Sequence, residues 1–275
     1  MNTLIEALRI PIIFHAFIAM LFAGSTLSLV GVIIIPLHLM TMRFTLMHVG
    51  LFGAAIALAF NLSPTLFAYV FVVSISLVMG LITREKKEKA SSVGAVFMTG
   101  SLAGAFVILS ATNVPAMEVF DIFAGNILLM NRVDLSLTIA LGIIVILFFT
   151  IMYREVQLIL LNPELAQVLG VPVKMIMNLI FIILGFSVAT ALKLVGALLV
   201  DALLFLPAVA ALRISRNFFQ TLILTSLFGF LTSLSGFLIA LFFSLPIGAS
   251  SALSATVILI IVFISAHLVK KYTVY

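Results

Sequence analysis

The sequence predicts an all-α polytopic membrane protein with about nine transmembrane helices, eight being possible. Three observations carry that expectation. The chain of 275 residues is 64% hydrophobic and 8% charged, which leaves too little polar surface for a soluble domain. Its apolar residues fall in long runs near the roughly 20 residues that cross the hydrocarbon core as a helix, without the period-2 alternation of barrel strands. Its 14 Lys and Arg cluster between those runs. Mean hydropathy is +1.42.

In chain order, the first span is expected over about 10–36, with His15 near its start. The second, about 44–60, follows Arg43 and carries Gly50 and Gly53; Asn61, Ser63 and Pro64 then make a turn. The third covers about 65–82. Residues 83–92 (TREKKEKASS) read as the one strongly charged loop, and the fourth span follows over 93–111. The mixed segment 113–134, with Pro115, Glu118, Asp121, Asn126 and Arg132, reads as an external loop with a short helix. The fifth span is expected over 135–153.

Residues 154–174 are polar enough to leave the membrane. Within them, Asn162 suits a helix cap, Pro163 the first helical turn and Gly170 the C-terminal end. Spans six to nine are expected over 175–192, 195–212, 218–245 and 249–269, with Pro207 inside the seventh. The chain reads as one transmembrane domain, 1–275, without a separate soluble domain.

Threading nine spans collects Arg43, Arg84, Lys86, Lys87, Lys89, Arg154, Lys174, Arg213, Arg216, Lys270 and Lys271 on one side, eleven of the 14 basic residues. The positive-inside rule makes that side the cytoplasm, with the N-terminus outside and the C-terminus inside. The pI of 9.8 is then a topology signal rather than a nucleic-acid one. The first residues do not read as a cleavable signal peptide, because the apolar run continues with no small-residue cleavage site. Cysteine is absent, which removes disulfides and thiolate ligands. No G-x-x-x-x-G-K-[ST] and no H-E-x-x-H occurs, so enzyme chemistry has no motif behind it.

Ionisable groups inside a bilayer are costly and mark pathways or partners. Four fall within or beside the spans. His15 suits an interfacial or packing role. Lys193 can snorkel to the outer face. Asp201, in VGALLVDALLFLP, is too short to snorkel and reads either as an ion-pair or cap residue or as a cation ligand. His48, in LMHVGLFG, reads either as a packed histidine beside small residues or as an imidazole ligand for a borderline metal.

The stretches NPELAQVLGVPVK (162–174) and ATALKLVGALLVDALLFLPAVAALRIS (189–215), with FAGNILLMNRVDL (123–135) and LPIGASSALSATVIL (245–259), resemble the permease subunit of the ABC-3 family over nearly the whole chain. These are the membrane components of bacterial manganese, zinc and iron ABC importers. The resemblance implies a homodimer in the cytoplasmic (inner) membrane, separate cytoplasmic ATP-binding subunits and an extracellular metal-binding delivery protein. It implies no permanently bound cofactor and a divalent metal (Zn, Mn or Fe) as cargo. Asn162, Pro163, Glu164, Leu165, Ala166, Leu169 and Gly170 would form the coupling segment on the ATPase.

The pattern departs at the second span. The family motif G-D-A-L-S-H-A-x-L-P-G corresponds to RFTLMHVGLFG (43–53), so the acidic position is Phe44 while His48 and Gly53 match. A carboxylate four residues before an imidazole shares its helix face; a lone histidine is a poor divalent site. Two readings stay open. Asp201 supplies the carboxylate, making His48 and Asp201 the metal ligands, or the cargo is not a free metal ion. A gradient-driven secondary transporter is the rival outside the ABC class, and it would need a coupling-ion site and usually inverted repeats.

Overall fold

The computed structural model describes residues 9–83, 87–112, 127, 130–196 and 200–272. Among them are twelve helices: α1 (Pro11–Ile34), α2 (Met40–Ala59), α3 (Pro64–Thr83), α4 (Lys87–Thr112), α5 (Arg132–Ile151), α6 (Tyr153–Leu161), α7 (Pro163–Val168), α8 (Val173–Val195), α9 (Val200–Leu204), α10 (Leu206–Ile214), α11 (Phe218–Phe243) and α12 (Ile247–Tyr272). Eight of these, α1 to α5 with α8, α11 and α12, are long and apolar enough to cross a membrane. The 20 residues of α2 reach about 30 Å, the thickness of the hydrocarbon core.

The expected seventh span is not one helix. Residues 200–214 form α9 and α10 with Phe205 between them. Pro207 has no N–H to donate to the Leu203 carbonyl, and its ring crowds that carbonyl. Upstream, Gly196 ends α8 at φ 83°, a left-handed angle that a side chain would strain. The count of long crossing helices among the described residues is therefore eight.

Two boundaries also move. Helix α2 begins at Met40, so Arg43 lies inside the helix rather than before it. The charged stretch expected as a loop becomes the start of α4 from Lys87 onward, since Lys, Glu and Ala are good helix formers. The proposed external loop and short helix at 113–134 fall mostly outside the described residues. Its last part is a reciprocal cap on α5: the Asp134 N–H donates to Asn131 Oδ1 (2.9 Å) and the Asn131 N–H to Asp134 Oδ2 (3.0 Å). Asp134 thereby has a structural role.

The helices fall into two compact units. The first holds α1, residues 132–147 of α5, and α9 to α12. There α11 packs on α1 where Gly24 and Gly229 face each other, and a Cβ on either would strike the other's backbone. Gly236 abuts Ser251 of α12 in the same way. Small residues thus set the helix spacing, as expected where lipid supplies no hydrophobic drive. Gly31 of α1 sits against the Leu204 carbonyl and Ala208, at the α9–α10 break.

The second unit holds α2 to α4, residues 148–151 and α6 to α8. Hydroxyls bridge its helices. Thr45 Oγ1 lies 2.9 Å from the accepting Gly94 carbonyl of α4, Tyr69 and Thr190 hydroxyls join α3 to α8 at 2.8 Å, and Ser76 donates to the Phe181 carbonyl. Gly80 lies under the Phe181 ring, and Gly50 of α2 meets Leu192 of α8.

Candidate transport site and coupling elbow

His48 lies in the third turn of α2, half-buried. Its Nδ1 is 2.8 Å from the Phe44 carbonyl oxygen. A carbonyl only accepts, so Nδ1 carries a proton, and in a neutral imidazole Nε2 is then the nitrogen that offers a lone pair to a ligand. Met40, Phe44 and His48 follow one i, i+4 ridge. Phe44 is 41% exposed, whereas its neighbour Arg43 is 1% exposed.

Arg43 places its guanidinium carbon 4.6 Å from the Phe44 ring centroid and an Nη2 4.0 Å from Met40 Sδ. Stacking a guanidinium over an aromatic face is favourable because the ring's negative quadrupole meets the cation. The sequence placed Arg43 among the interfacial cytoplasmic charges; its packing into α2 depends on three-dimensional neighbours that spacing does not reveal.

Asp201 lies in the first turn of α9, half-buried, where a carboxylate complements the helix dipole. His48 belongs to the second unit and Asp201 to the first. Lys193 is half-buried in the last turn of α8, where an ammonium complements the dipole's negative end. His15 is half-buried in the second turn of α1. Among the described residues, no group of three or more His, Cys, Asp or Glu side chains gathers as a metal cluster.

The segment 162–170 folds as its residues dictate. Asn162 Oδ1 accepts from the N–H groups of Glu164 (2.9 Å) and Leu165 (3.0 Å), capping α7. Pro163 takes the first turn, where its missing N–H costs nothing. At the other end, Gly170 adopts φ 84°; its N–H donates to the Gln167 carbonyl (3.1 Å) and that of Val171 to Ala166 (3.0 Å). That pair of bonds is a Schellman closure.

Helices α6 and α7 pack on each other and on α8, with Val156, Ile159 and Ala166 turned inward. Ala166 is 0% exposed, so it positions the elbow and presents no surface. What the elbow presents is Glu164 with Leu161, Leu165, Val168 and Leu169, all exposed; Val168 reaches 83%. Leu161 and Val168 were not singled out by spacing. An exposed apolar knob on a doubly capped, rigid turn is a surface that another protein can cover.

Residues 9–266 match the ABC 3 transport family. The chain is 27% identical over 249 residues to the manganese transport system membrane protein MntC of Halalkalibacterium halodurans, covering 90% of this chain and 85% of that protein. It is 28% identical over 258 residues to the manganese import system permease protein ScaB of Streptococcus parasanguinis, covering 94% and 91%. Among solved structures, PsaBC from Streptococcus pneumoniae in complex with Fab matches with a TM-score of 0.81 at 25% identity, over 94% of each chain. With the family match spanning nearly all of α1 to α12, the chain belongs to the ABC 3 transport family.

Proposed function

We propose that this chain is the membrane-spanning permease subunit of an ABC importer that carries a divalent metal ion across the cytoplasmic membrane. The observation that carries the reading is the full-length similarity to permeases named for manganese, and manganese is accordingly the first cargo to test, ahead of zinc and iron. ATP hydrolysis belongs to separate cytoplasmic subunits; this chain supplies the path. Two copies would form the pathway, and an extracellular binding protein would deliver the ion.

The orientation follows from the basic residues. Arg213, Arg216, Lys270 and Lys271 reach the side of Arg154 and Lys174 only if 195–216 crosses the membrane. The broken pair α9–α10 then belongs to an additional crossing, the seventh of nine in chain order, and a discontinuous helix at membrane depth is where transporters commonly place substrate groups. Asp201 on that pair and His48 Nε2 are the proposed ligands. Bound weakly, an ion can also leave.

The elbow is the proposed ATPase seat, with Leu165, Val168 and Leu169 as apolar anchors beside Glu164 and with Asn162, Pro163, Ala166 and Gly170 holding its shape. Glu164→Arg and Val168→Asp should leave the permease folded while ATPase co-purification and uptake are lost. Normal uptake in both would overturn the docking assignment.

The metal assignment is tested by ATPase stimulation in the reconstituted complex with its delivery protein, across manganese, zinc, iron and non-metal candidates. Stimulation by one metal, lost in His48→Ala and Asp201→Asn and little worse in the double variant, supports a shared site. Strictly additive losses contradict it.

One observation favours a second reading, in which the cargo is not a bare cation. The membrane-crossing stretches of the second unit (40–59, 64–82, 92–112 and 173–194) contain no Asp or Glu, and Arg43 stands against Phe44 one turn before His48. A fixed cation there disfavours a free divalent ion. Phe44→Asp would then create manganese-stimulated ATPase activity that the wild type lacks; equal activity in both would dismiss this reading.

A further inference from the structure

We propose that the turn joining α10 to α11, together with the end of α12, is a binding site for an anionic phospholipid headgroup. The argument begins with charge. Between Asp201 and residue 275 the sequence carries Arg213, Arg216, Lys270 and Lys271 and no Asp or Glu. The two arginines are exposed, and no Asp or Glu side chain on this segment can neutralise them.

Packing brings the basic positions to one end. Ser244 to Pro246 join α11 to α12 as a short hairpin connection, so the start of α11 and the end of α12 share one end of the first unit. Arg213, in the last turn of α10, lays its guanidinium carbon 5.1 Å from the centroid of the Phe263 ring on α12. A stacked guanidinium is held in place at its face while its N–H edge stays free for phosphate oxygens. Lys270 and Lys271 lie about 10 to 12 Å further along α12.

The turn itself is ordered. The Arg216 N–H donates to Gln220 Oε1 (2.8 Å), and the Gln220 N–H to Asn217 Oδ1 (2.8 Å), so α11 starts at a fixed point with its positive dipole end beside both arginines. Around the basic turn the surface is apolar: Leu212, Ile214, Phe219, Ile260, Phe263 and Ile264 are exposed. A cationic turn bordered by exposed aliphatic and aromatic groups matches a molecule with a phosphate at one end and acyl chains at the other. A free phosphate would use only the first half, and an acidic protein partner would leave the flanking apolar side chains uncovered. Scattered positive-inside charges need no stack, no cap and no such border.

The test is native mass spectrometry of the permease–ATPase complex released from vesicles of equimolar phosphatidylcholine and phosphatidylglycerol. The wild type should retain phosphatidylglycerol preferentially. Arg213→Gln and Arg216→Gln should each lower that retention about fivefold, the effect of one basic residue near an anionic surface, while phosphatidylcholine is unaffected. Phe263→Leu, which removes the stack and keeps the helix apolar, should also weaken retention. Arg132→Gln, an exposed arginine at the start of α5, should leave it unchanged. Equal retention of the two lipids by the wild type, wild-type retention in the arginine variants, or an equal loss on Arg132→Gln would overturn the proposal. Loss of the ATPase with lipid retention intact would also overturn it and assign the turn to protein docking.

Discussion

The two units hold their helices together by the same means in different proportion. In the second, buried hydroxyls are aimed across helix boundaries: Thr45 to the Gly94 carbonyl, Tyr69 to Thr190, Ser76 to the Phe181 carbonyl. In the first, one such bond joins α1 to α11, from Ser28 to the Thr225 carbonyl at 3.3 Å. Close backbone approach at Gly24, Gly31, Gly229 and Gly236 accompanies it. Five buried hydroxyl oxygens, on Thr225, Thr232, Ser233, Ser250 and Ser254, have no hydrogen-bond partner among the described residues; Ser187 is the comparable hydroxyl in the second unit. Close approach at glycine occurs in both units, since Gly53 lies against the Phe67 carbonyl in the second; the second adds more directional bonds across its helices among the described residues. The first unit also carries the broken helix and Asp201.

The difference can be broken from either side. The largest effect should come from Gly229→Val, whose side chain would meet the α1 backbone at Gly24. Backbone cannot yield as a side-chain tip can, so a loss of about 3 kcal/mol or more is expected, read as failed recovery of folded protein or a collapsed thermal midpoint in detergent. In the second unit, Thr45→Val and Tyr69→Phe should each cost about 0.6 kcal/mol, with a ceiling near about 1.7. A double-mutant cycle of Tyr69→Phe with Thr190→Val should return most of that as coupling.

The smallest change should have the opposite sign. Thr232→Val removes an unpartnered buried hydroxyl at nearly constant volume, so the first unit should gain up to about 1 kcal/mol. If Thr232→Val destabilises as Thr45→Val does, the distinction between the units fails. If Tyr69→Phe and Thr232→Val both prove neutral, directional bonding contributes nothing in either unit.

Much of this architecture was legible in the sequence. Long apolar runs divided by basic clusters located all eight long helices, because in a bilayer hydropathy and backbone satisfaction decide between helix and connection. The elbow was legible to the residue: Asn162, Pro163 and Gly170 each act locally, through a side-chain cap, a fixed φ and a left-handed turn. In the seventh span the sequence showed Pro207 and allowed a count of eight, but hydropathy alone does not register what Pro207 does to the Leu203 carbonyl, so the place of the break was not legible. The burial of Arg43 was not legible because its contacts with the Phe44 ring and Met40 Sδ are made in space. The role of Ala166 was likewise invisible: spacing marks α7, but only its packing against α6 and α8 turns that residue inward and leaves Val168 outside. His48 was visible as an intramembrane imidazole, yet the choice of Nε2 as its free nitrogen needed the Phe44 carbonyl in space.

The most direct measurement is uptake of radiolabelled manganese by proteoliposomes holding the permease, its ATPase and its delivery protein, with and without ATP. The account predicts accumulation that requires ATP and is lost when Val168→Asp unseats the elbow. Accumulation that proceeds without ATP, or that persists in the Val168→Asp variant, would contradict it.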